Sequence, residues 1–144
     1  MNLRFPLIRV LALVLVGFAI IPVFAQNEPN ARKKLVGTWR GGWPDDKQPQ
    51  YEIVFTAEKI TSKNLKGGEA MGEGTYKLDP KAKTLDATGT SGKEYKGKTF
   101  LGIYSLDGDK LKWCSNNGTK NRPKDLVNKP GNDHYLLILE RKKS

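Results

Sequence analysis

The stretch Lys98-Thr-Phe-Leu-Gly-Ile-Tyr-Ser-Leu-Asp-Gly-Asp-Lys-Leu-Lys-Trp-Cys-Ser115 decides the fold class. Its middle, Asp107-Gly108, tolerates the positive φ angles of a tight hairpin turn. Residues 98–106 are apolar on both faces, which predicts the longest strand of the chain and a central one. After the turn, Leu111 and Trp113 alternate with lysines, which predicts one buried and one exposed face. The stretch therefore predicts an antiparallel β-hairpin.

Short runs of the same kind recur on both sides of this hairpin, separated by Gly, Pro, Asp and Asn. The cleanest is residues 51–56, in which Tyr51, Ile53 and Phe55 share one face. No stretch combines helical periodicity with capping residues. About eight strands suit a small closed barrel, so the sequence predicts an all-β, antiparallel barrel. The remaining runs predicted as strands are residues 35–40, 59–62, 74–78, 84–88 and 135–141.

The N-terminal segment has the pattern of a cleavable signal peptide over residues 1–25. Arg4 and Arg9 precede an apolar run, and a small residue, Ala25, ends the segment. A membrane-spanning helix needs about 20 apolar residues, and this run is shorter. We therefore expect export to the periplasm or the extracellular space, with no stable membrane span after cleavage. Residues 26–34 are polar and predict a flexible leader, and residues 35–144 form the predicted barrel domain.

The charge of the chain is strongly positive. Its 144 residues include 25 basic and 15 acidic side chains, for a formal charge of +10. Loss of Arg4 and Arg9 with the signal leaves about +8. Such a charge favours anionic partners, for example an envelope polymer, although lysines dispersed from Lys33 to Lys143 also fit a solvated surface. Export argues against nucleic acid as a partner, and the sequence assigns no oligomeric state.

One motif matches the phosphate-binding loop of nucleotide-binding proteins. Residues 92–99 read Gly, four residues, Gly-Lys-Thr. The motif needs a helix directly after it, with the helix N-terminus facing the phosphates. Because residues 100–106 predict a strand instead, we interpret the match as a lysine-rich hairpin loop and expect no cofactor.

The sequence offers no convincing catalytic or metal-binding group. The single histidine, His134, follows Asp133, and no serine lies in a Gly-x-Ser-x-Gly elbow. One His and one Cys, Cys114, are too few for a zinc site. A lone Cys also allows no internal disulfide. The usual role of such a residue is that of a small buried hydrophobe. Asp107 and Asp109 flank a turn but lack the distal Glu of a calcium loop. We therefore predict no catalytic and no metal-binding residues.

Aromatic side chains are the candidate ligand-binding residues. Six of them fall on the predicted inward faces of different strands, where they either fill a core or line a ligand pocket. A filled core is the commoner outcome in small barrels. The six residues are Trp39, Tyr51, Phe55, Tyr76, Tyr104 and Trp113.

Several segments together resemble an uncharacterised, lipocalin-like domain family that is abundant in planctomycete bacteria and has no established activity. These segments are Leu35-Val-Gly-Thr-Trp39, Gly74-Thr-Tyr-Lys-Leu-Asp-Pro80, residues 98–111, Arg122-Pro123 and the closing residues 137–141.

The first segment, Gly37-Thr38-Trp39, is similar to the Gly-x-Trp of true lipocalins. In those proteins an arginine near the last strand packs over the tryptophan. The resemblance thus implies that Arg141 packs over Trp39 by cation–π contact and closes the barrel.

Three functions are compatible with these observations. The first is a non-enzymatic binding module for a small apolar or amphipathic ligand. The second is a surface protein whose lysines bind anionic envelope polymer. The third and least favoured is a hydrolase that uses His134 with a nearby carboxylate.

Overall fold

The structure, a computed structural model, describes residues 24–144. The predicted signal peptide therefore lies outside the described residues, apart from Phe24 and Ala25. The elements are helix α1 (Phe24–Leu35), strands β1 (Gly37–Gly42), β2 (Tyr51–Phe55), β3 (Lys59–Asn64), β4 (Ala70–Asp79), β5 (Thr84–Gly89), β6 (Thr99–Phe100), β7 (Gly102–Asp107), β8 (Lys110–Asn116) and β9 (His134–Arg141), and a 3₁₀ turn at Pro130–Asn132.

The strands form a closed antiparallel barrel. Strands β1 to β5 pair with one another in chain order, and β7, β8 and β9 continue the series. Strands β6 and β7 follow one another along β5 and share one position in the barrel. The ladder closes where β9 pairs with β1, which gives eight strand positions. The prediction of a small antiparallel barrel of about eight strands is confirmed.

The predicted strand over residues 98–106 differs from the observed one. Leu101 divides it into β6 and β7, and the longest strand is the ten-residue β4. At the break, side chains replace backbone partners: the Leu101 N–H donates to Asn116 Oδ1 at 2.9 Å, and the Gly102 N–H donates to Asp86 Oδ1 at 3.0 Å. The prediction of the longest, central strand was wrong, because a closed barrel has no central strand and polar side chains interrupt this one.

The N-terminal segment also differs from expectation, since helix α1 occupies the place of the flexible leader predicted over residues 26–34. The Arg32 guanidinium lies 4.6 Å from the centroid of the Tyr76 ring and donates to the Ala57 carbonyl at 2.7 Å. Leu35 is fully buried, and Ala31, one turn earlier, packs against the core. Two apolar residues four apart are too weak a periodic signal to identify a helix from sequence. The helix covers one end of the barrel, here called the closed end.

The closed end depends on Trp39 and Arg141, which face each other in the β1–β9 ladder. The Arg141 guanidinium carbon lies 4.2 Å from the Trp39 ring centroid, so the contact implied by the resemblance is present. Arg141 also donates to the Val36 carbonyl at 2.9 Å and to the Lys34 carbonyl. Gly37 makes room for it, because a Cβ there would lie 2.5 Å from Arg141 Nη1. One side chain thus joins the last strand to the end of α1 and the start of β1.

We expect Arg141→Lys to lower the free energy of unfolding by about 1–3 kcal/mol, because lysine lacks the planar fork that stacks and donates at once. Urea unfolding followed by circular dichroism measures the change. The matched control is Arg40→Lys, whose ion pair with Glu52 lies on the outer surface between β1 and β2. We expect the control to cost less than about 0.5 kcal/mol. Equal losses in both variants would contradict a special role for Arg141.

A second arginine bridges the break in the barrel wall. Arg122, in the loop after β8, donates from Nη1 and Nη2 to the two Asp86 oxygens at 2.5 and 2.9 Å, and from Nη1 to the Gly102 carbonyl at 2.7 Å. Burial alone would raise the pKa of the Asp86 carboxyl. Hydrogen bonds from Arg122 and Gly102, together with the guanidinium charge, outweigh this effect of burial. The pKa of Asp86 therefore lies below its ordinary value. The pair joins β5, β7 and the loop.

The lowered pKa of Asp86 predicts a pH dependence of stability. The carboxylate stabilises the fold above the ordinary Asp pKa of about 3.9, and this stability is lost as the pH falls through the lower folded-state pKa. Asp86→Asn should therefore lower the free energy of unfolding by about 1–2 kcal/mol at neutral pH, and the difference from wild type should shrink below about pH 4. Urea unfolding across pH measures both curves. Asp45, exposed in the loop after β1, supplies the control Asp45→Asn, which should follow wild type. Parallel curves for Asp86→Asn and wild type would contradict the assignment.

Candidate functional site

The barrel opens at the end opposite α1 into a cavity of about 660 Å³. Its wall is built from the ends of strands that point away from the closed end, and residues of the β5–β6 loop contribute to its rim. Pockets that hold small ligands measure about 300–1,000 Å³. The barrel is therefore packed at one end and hollow at the other.

The cavity arises from a change in side-chain size along the strands. Towards the closed end the inward side chains are large and buried, as at Tyr76 and Leu78 on β4. Two residues earlier on the same face β4 carries glycine, and the inward side chains of β3, β5 and β8 also become smaller towards the open end. The small inward residues that line the cavity are Ser62, Gly72, Gly74, Ala87, Gly89 and Ser115.

The six aromatic residues predicted to bind ligand divide between the two ends of the barrel. Tyr51 and Trp113 line the cavity. The other four are buried in the core and do not line it: Trp39, Phe55, Tyr76 and Tyr104. Alternation along a strand identifies the inward face but not the depth along the barrel axis, so the sequence could not separate the two groups.

Four further aromatic residues line the cavity that the sequence did not single out. They are Trp43, Tyr95, Phe100 and Tyr135. Trp43 follows β1 four residues after Trp39, so an extended chain places both on the same inward face. This alternation could have identified Trp43 from the sequence. The rings of Trp43 and Tyr51 lie 5.8 Å apart at 77°, and those of Trp43 and Tyr135 lie 5.6 Å apart at 53°.

Trp113 separates the cavity from the core, since it belongs to the buried cluster and also lines the cavity. Its indole Nε1 donates to the Leu85 carbonyl at 3.0 Å. The ring reaches β5 across Gly102, where a Cβ would lie 2.4 Å from the indole nitrogen and 2.6 Å from the Leu85 oxygen. A residue without a side chain is therefore required at this position.

We expect Gly102→Ala to displace Trp113 and to lower the free energy of unfolding by about 1–3 kcal/mol, as overpacking does in a dense interior. Urea unfolding measures the loss, and a shift of tryptophan emission to longer wavelength reports the displacement. Gly131→Ala is the control, because nothing lies within 4 Å of its added Cβ. Unchanged emission in Gly102→Ala would show that Trp113 does not depend on this glycine.

The loop over residues 90–98, which contains the phosphate-loop match, forms one side of the mouth. It joins the antiparallel strands β5 and β6, and a strand, not a helix, follows it. The N–H groups of Thr90 and Ser91 donate to the Glu73 carbonyl at 2.8 and 3.2 Å, and the Glu73 N–H donates to Ser91 Oγ at 3.1 Å. These bonds attach the loop to β4. The interpretation as a lysine-rich hairpin loop agrees with this geometry.

The rim of the mouth carries balanced charge and several polar aromatic groups. Among the cavity-lining residues, the lysines are Lys93 and Lys98 and the acids are Glu73 and Glu94. Within residues 24–144, no hydrogen bond is made by Trp43 Nε1 or by the hydroxyls of Tyr51, Tyr95 and Tyr135. Burial, with smaller contributions from Glu94 and Tyr51, raises the pKa of the Tyr95 hydroxyl.

The other groups considered from sequence lie away from the cavity lining. His134 Nε2 is 3.3 Å from the Asn121 carbonyl, and Asp109 pairs with Arg141 beside the β7–β8 turn. The Cys114 Sγ lies 3.5 Å from the Val127 carbonyl under the loop after β8, and burial raises the pKa of its thiol. Within the described chain, no group of three or more His, Cys, Asp or Glu residues could hold a metal ion.

Fold and site together define a closed antiparallel β-barrel with a packed end and an open end that leads into an aromatic-lined cavity. No protein-family model, curated protein or solved structure matches the chain. In the part of the chain that the structure describes, no helix is long and apolar enough to cross a membrane.

Proposed function

We propose that this protein is an exported, non-enzymatic binding module that holds a small apolar or amphipathic ligand in the barrel cavity. The observation that carries the proposal is the cavity of about 660 Å³, whose surface is mostly apolar and whose lining includes six aromatic residues. Each Å² of apolar ligand surface removed from water contributes about 25 cal/mol. A ligand that filled the cavity would therefore gain most of its binding free energy from its apolar part.

The nature of the wall supports binding rather than catalysis. Deep in the cavity, Ile53, Ile60, Ala87, Trp113 and Leu137 carry no group that transfers protons or attacks as a nucleophile. The hydroxyl of Ser62, which pairs with Ile53 across β2 and β3, donates to the Gly72 carbonyl at 3.4 Å. His134, the residue considered for a hydrolase, does not line the cavity. Its Nε2 lies 3.3 Å from the Asn121 carbonyl oxygen in the loop after β8.

Export is supported by the signal-peptide pattern of residues 1–25. The residues of α1 that hold the closed end, Ala31, Arg32 and Leu35, all follow the expected cleavage point after Ala25. Removal of the signal would leave their contacts intact. Membership of the lipocalin-like planctomycete family is part of the same proposal and rests on the sequence resemblance.

Binding of an anionic envelope polymer through lysines is the alternative function. Its support is the net charge alone. At the cavity mouth two lysines are matched by two glutamates, so this region offers no concentrated positive surface for a polymer.

A cavity-filling variant tests the proposed function. Ala87 is buried and lines the cavity, so Ala87→Phe should raise the dissociation constant of the neutral dye N-phenyl-1-naphthylamine at least about tenfold, a loss of about 1.4 kcal/mol. Dye fluorescence measures binding. Thr75→Phe adds the same ring to the exposed face of β4 and is the matched control. Undiminished dye binding by a folded Ala87→Phe protein would refute a ligand site in the barrel.

A further inference from the structure

We infer that the polar part of the ligand is an uncharged, hydroxyl-rich ring of the sugar type, held at the cavity mouth by Trp43, Tyr51, Tyr95 and Tyr135. The inference rests on the proposed function, because it names the class of ligand that the cavity takes. It is argued from the ring geometry, the free hydrogen-bonding groups and the charge balance at the mouth.

The first argument is the arrangement of the rings. Trp43 stands between Tyr51 and Tyr135, with interplanar angles of 77° and 53°. Neighbouring rings at such angles offer faces and edges in different directions. The negative face of an aromatic ring attracts groups with partial positive charge at their surface. The C–H groups on one face of a sugar ring are of this kind, while its hydroxyls project around the edge.

The second argument is the set of hydrogen-bonding atoms at the mouth. The indole Nε1 of Trp43 is a donor, and the hydroxyls of Tyr51, Tyr95 and Tyr135 both donate and accept. None of the four is bonded to another residue of the described chain. None is sealed from solvent either, since the one buried unbonded side-chain atom among residues 24–144 is Thr119 Oγ1. Sugar hydroxyls also donate and accept, and they fit this mixture.

The third argument is charge. Lys93 and Lys98 would attract an anionic head group, but Glu73 and Glu94 on the same rim would repel it. The phenol of Tyr95 adds no charge at neutral pH, since the ordinary pKa of tyrosine is about 10 and burial raises the pKa of this hydroxyl further. A cationic head could also use the aromatic faces, but the same two lysines would oppose it. The balance at the rim therefore favours an uncharged polar group.

A head-group series with one constant tail tests the inference. Dodecyl maltoside, dodecyl sulfate and dodecyltrimethylammonium carry the same twelve-carbon chain on neutral, anionic and cationic heads. Binding to the full chain, below the micelle concentration of each surfactant, is measured by tryptophan fluorescence and isothermal calorimetry. We expect dodecyl maltoside to bind at least about tenfold more tightly than either charged surfactant, which corresponds to about 1.4 kcal/mol.

Removing hydroxyls tests the named residues. The double variant Tyr51→Phe, Tyr135→Phe keeps the rings and loses two hydrogen-bonding groups. It should weaken dodecyl maltoside about 5- to 150-fold, as the loss of two ordinary hydrogen bonds does, and weaken the apolar dye N-phenyl-1-naphthylamine by a smaller factor. Tyr104→Phe removes a hydroxyl from the core region outside the cavity lining and is the matched control. Equal weakening by this control would refute the assignment of Tyr51 and Tyr135.

The outcomes separate this inference from the proposed function. Equal affinity for all three surfactants, or tightest binding of a charged one, overturns the sugar-type head group while the binding barrel stands. Failure of the neutral dye and of every surfactant overturns both. Maltose binding without a tail supports a free sugar as the ligand, whereas binding of dodecyl maltoside alone supports a glycolipid.

Discussion

The packing of Arg141 on Trp39 is the contact on which the rest of the structure depends. It lies where β9 meets β1, the pair that converts a row of strands into a closed barrel. Closure removes sheet edges, which otherwise expose unpaired N–H and C=O groups. The same guanidinium bonds to carbonyls at the end of α1 and before β1. The same side chain therefore supports both the closure of the sheet and the attachment of the helix.

A barrel sealed in this way at one end can be hollow only at the other. Leu35 and Trp39 are completely buried there, and the Trp39 indole donates to the Leu35 carbonyl at 2.8 Å. The dense end supplies the apolar core that a chain with one cysteine and no internal disulfide requires. The glycines, serines and alanine of the open end contribute little to stability. Because the packed end supplies the stability, these small residues can leave a cavity unfilled.

Local patterns in the sequence predicted the strands because the period of two is a property of each strand alone. The Asp107-Gly108 turn and the alternation around Leu111 and Trp113 are read within a dozen residues. The division at Leu101 was not predictable in this way, since it requires Asn116 and Asp86 to meet residues far away in the chain. Helix α1 was missed for a related reason: its stability comes from contacts with Tyr76 and Ala57, not from its own sequence.

The candidate site was only partly predictable for the same physical reason. Alternation identified six inward aromatic residues and missed others, such as Trp43 and Tyr135. The distance of each from the closed end depends on the register of all eight strand positions. The decrease in side-chain size along β4, from Tyr76 to Gly74 and Gly72, was present in the sequence and marks the cavity in retrospect. A comparison of inward residues at successive levels of several strands would have found it.

The break between β6 and β7 lies beside the cavity, and it changes how the open end is held together. At this point the wall relies on Asp86, Asn116 and Arg122 instead of a continuous backbone ladder. Segments held by few backbone bonds open at lower free energy than the core of a fold. The closed end, with Trp39 and Arg141, has no such interruption. We therefore expect local opening to be easiest beside the cavity, while the packed end keeps the fold intact.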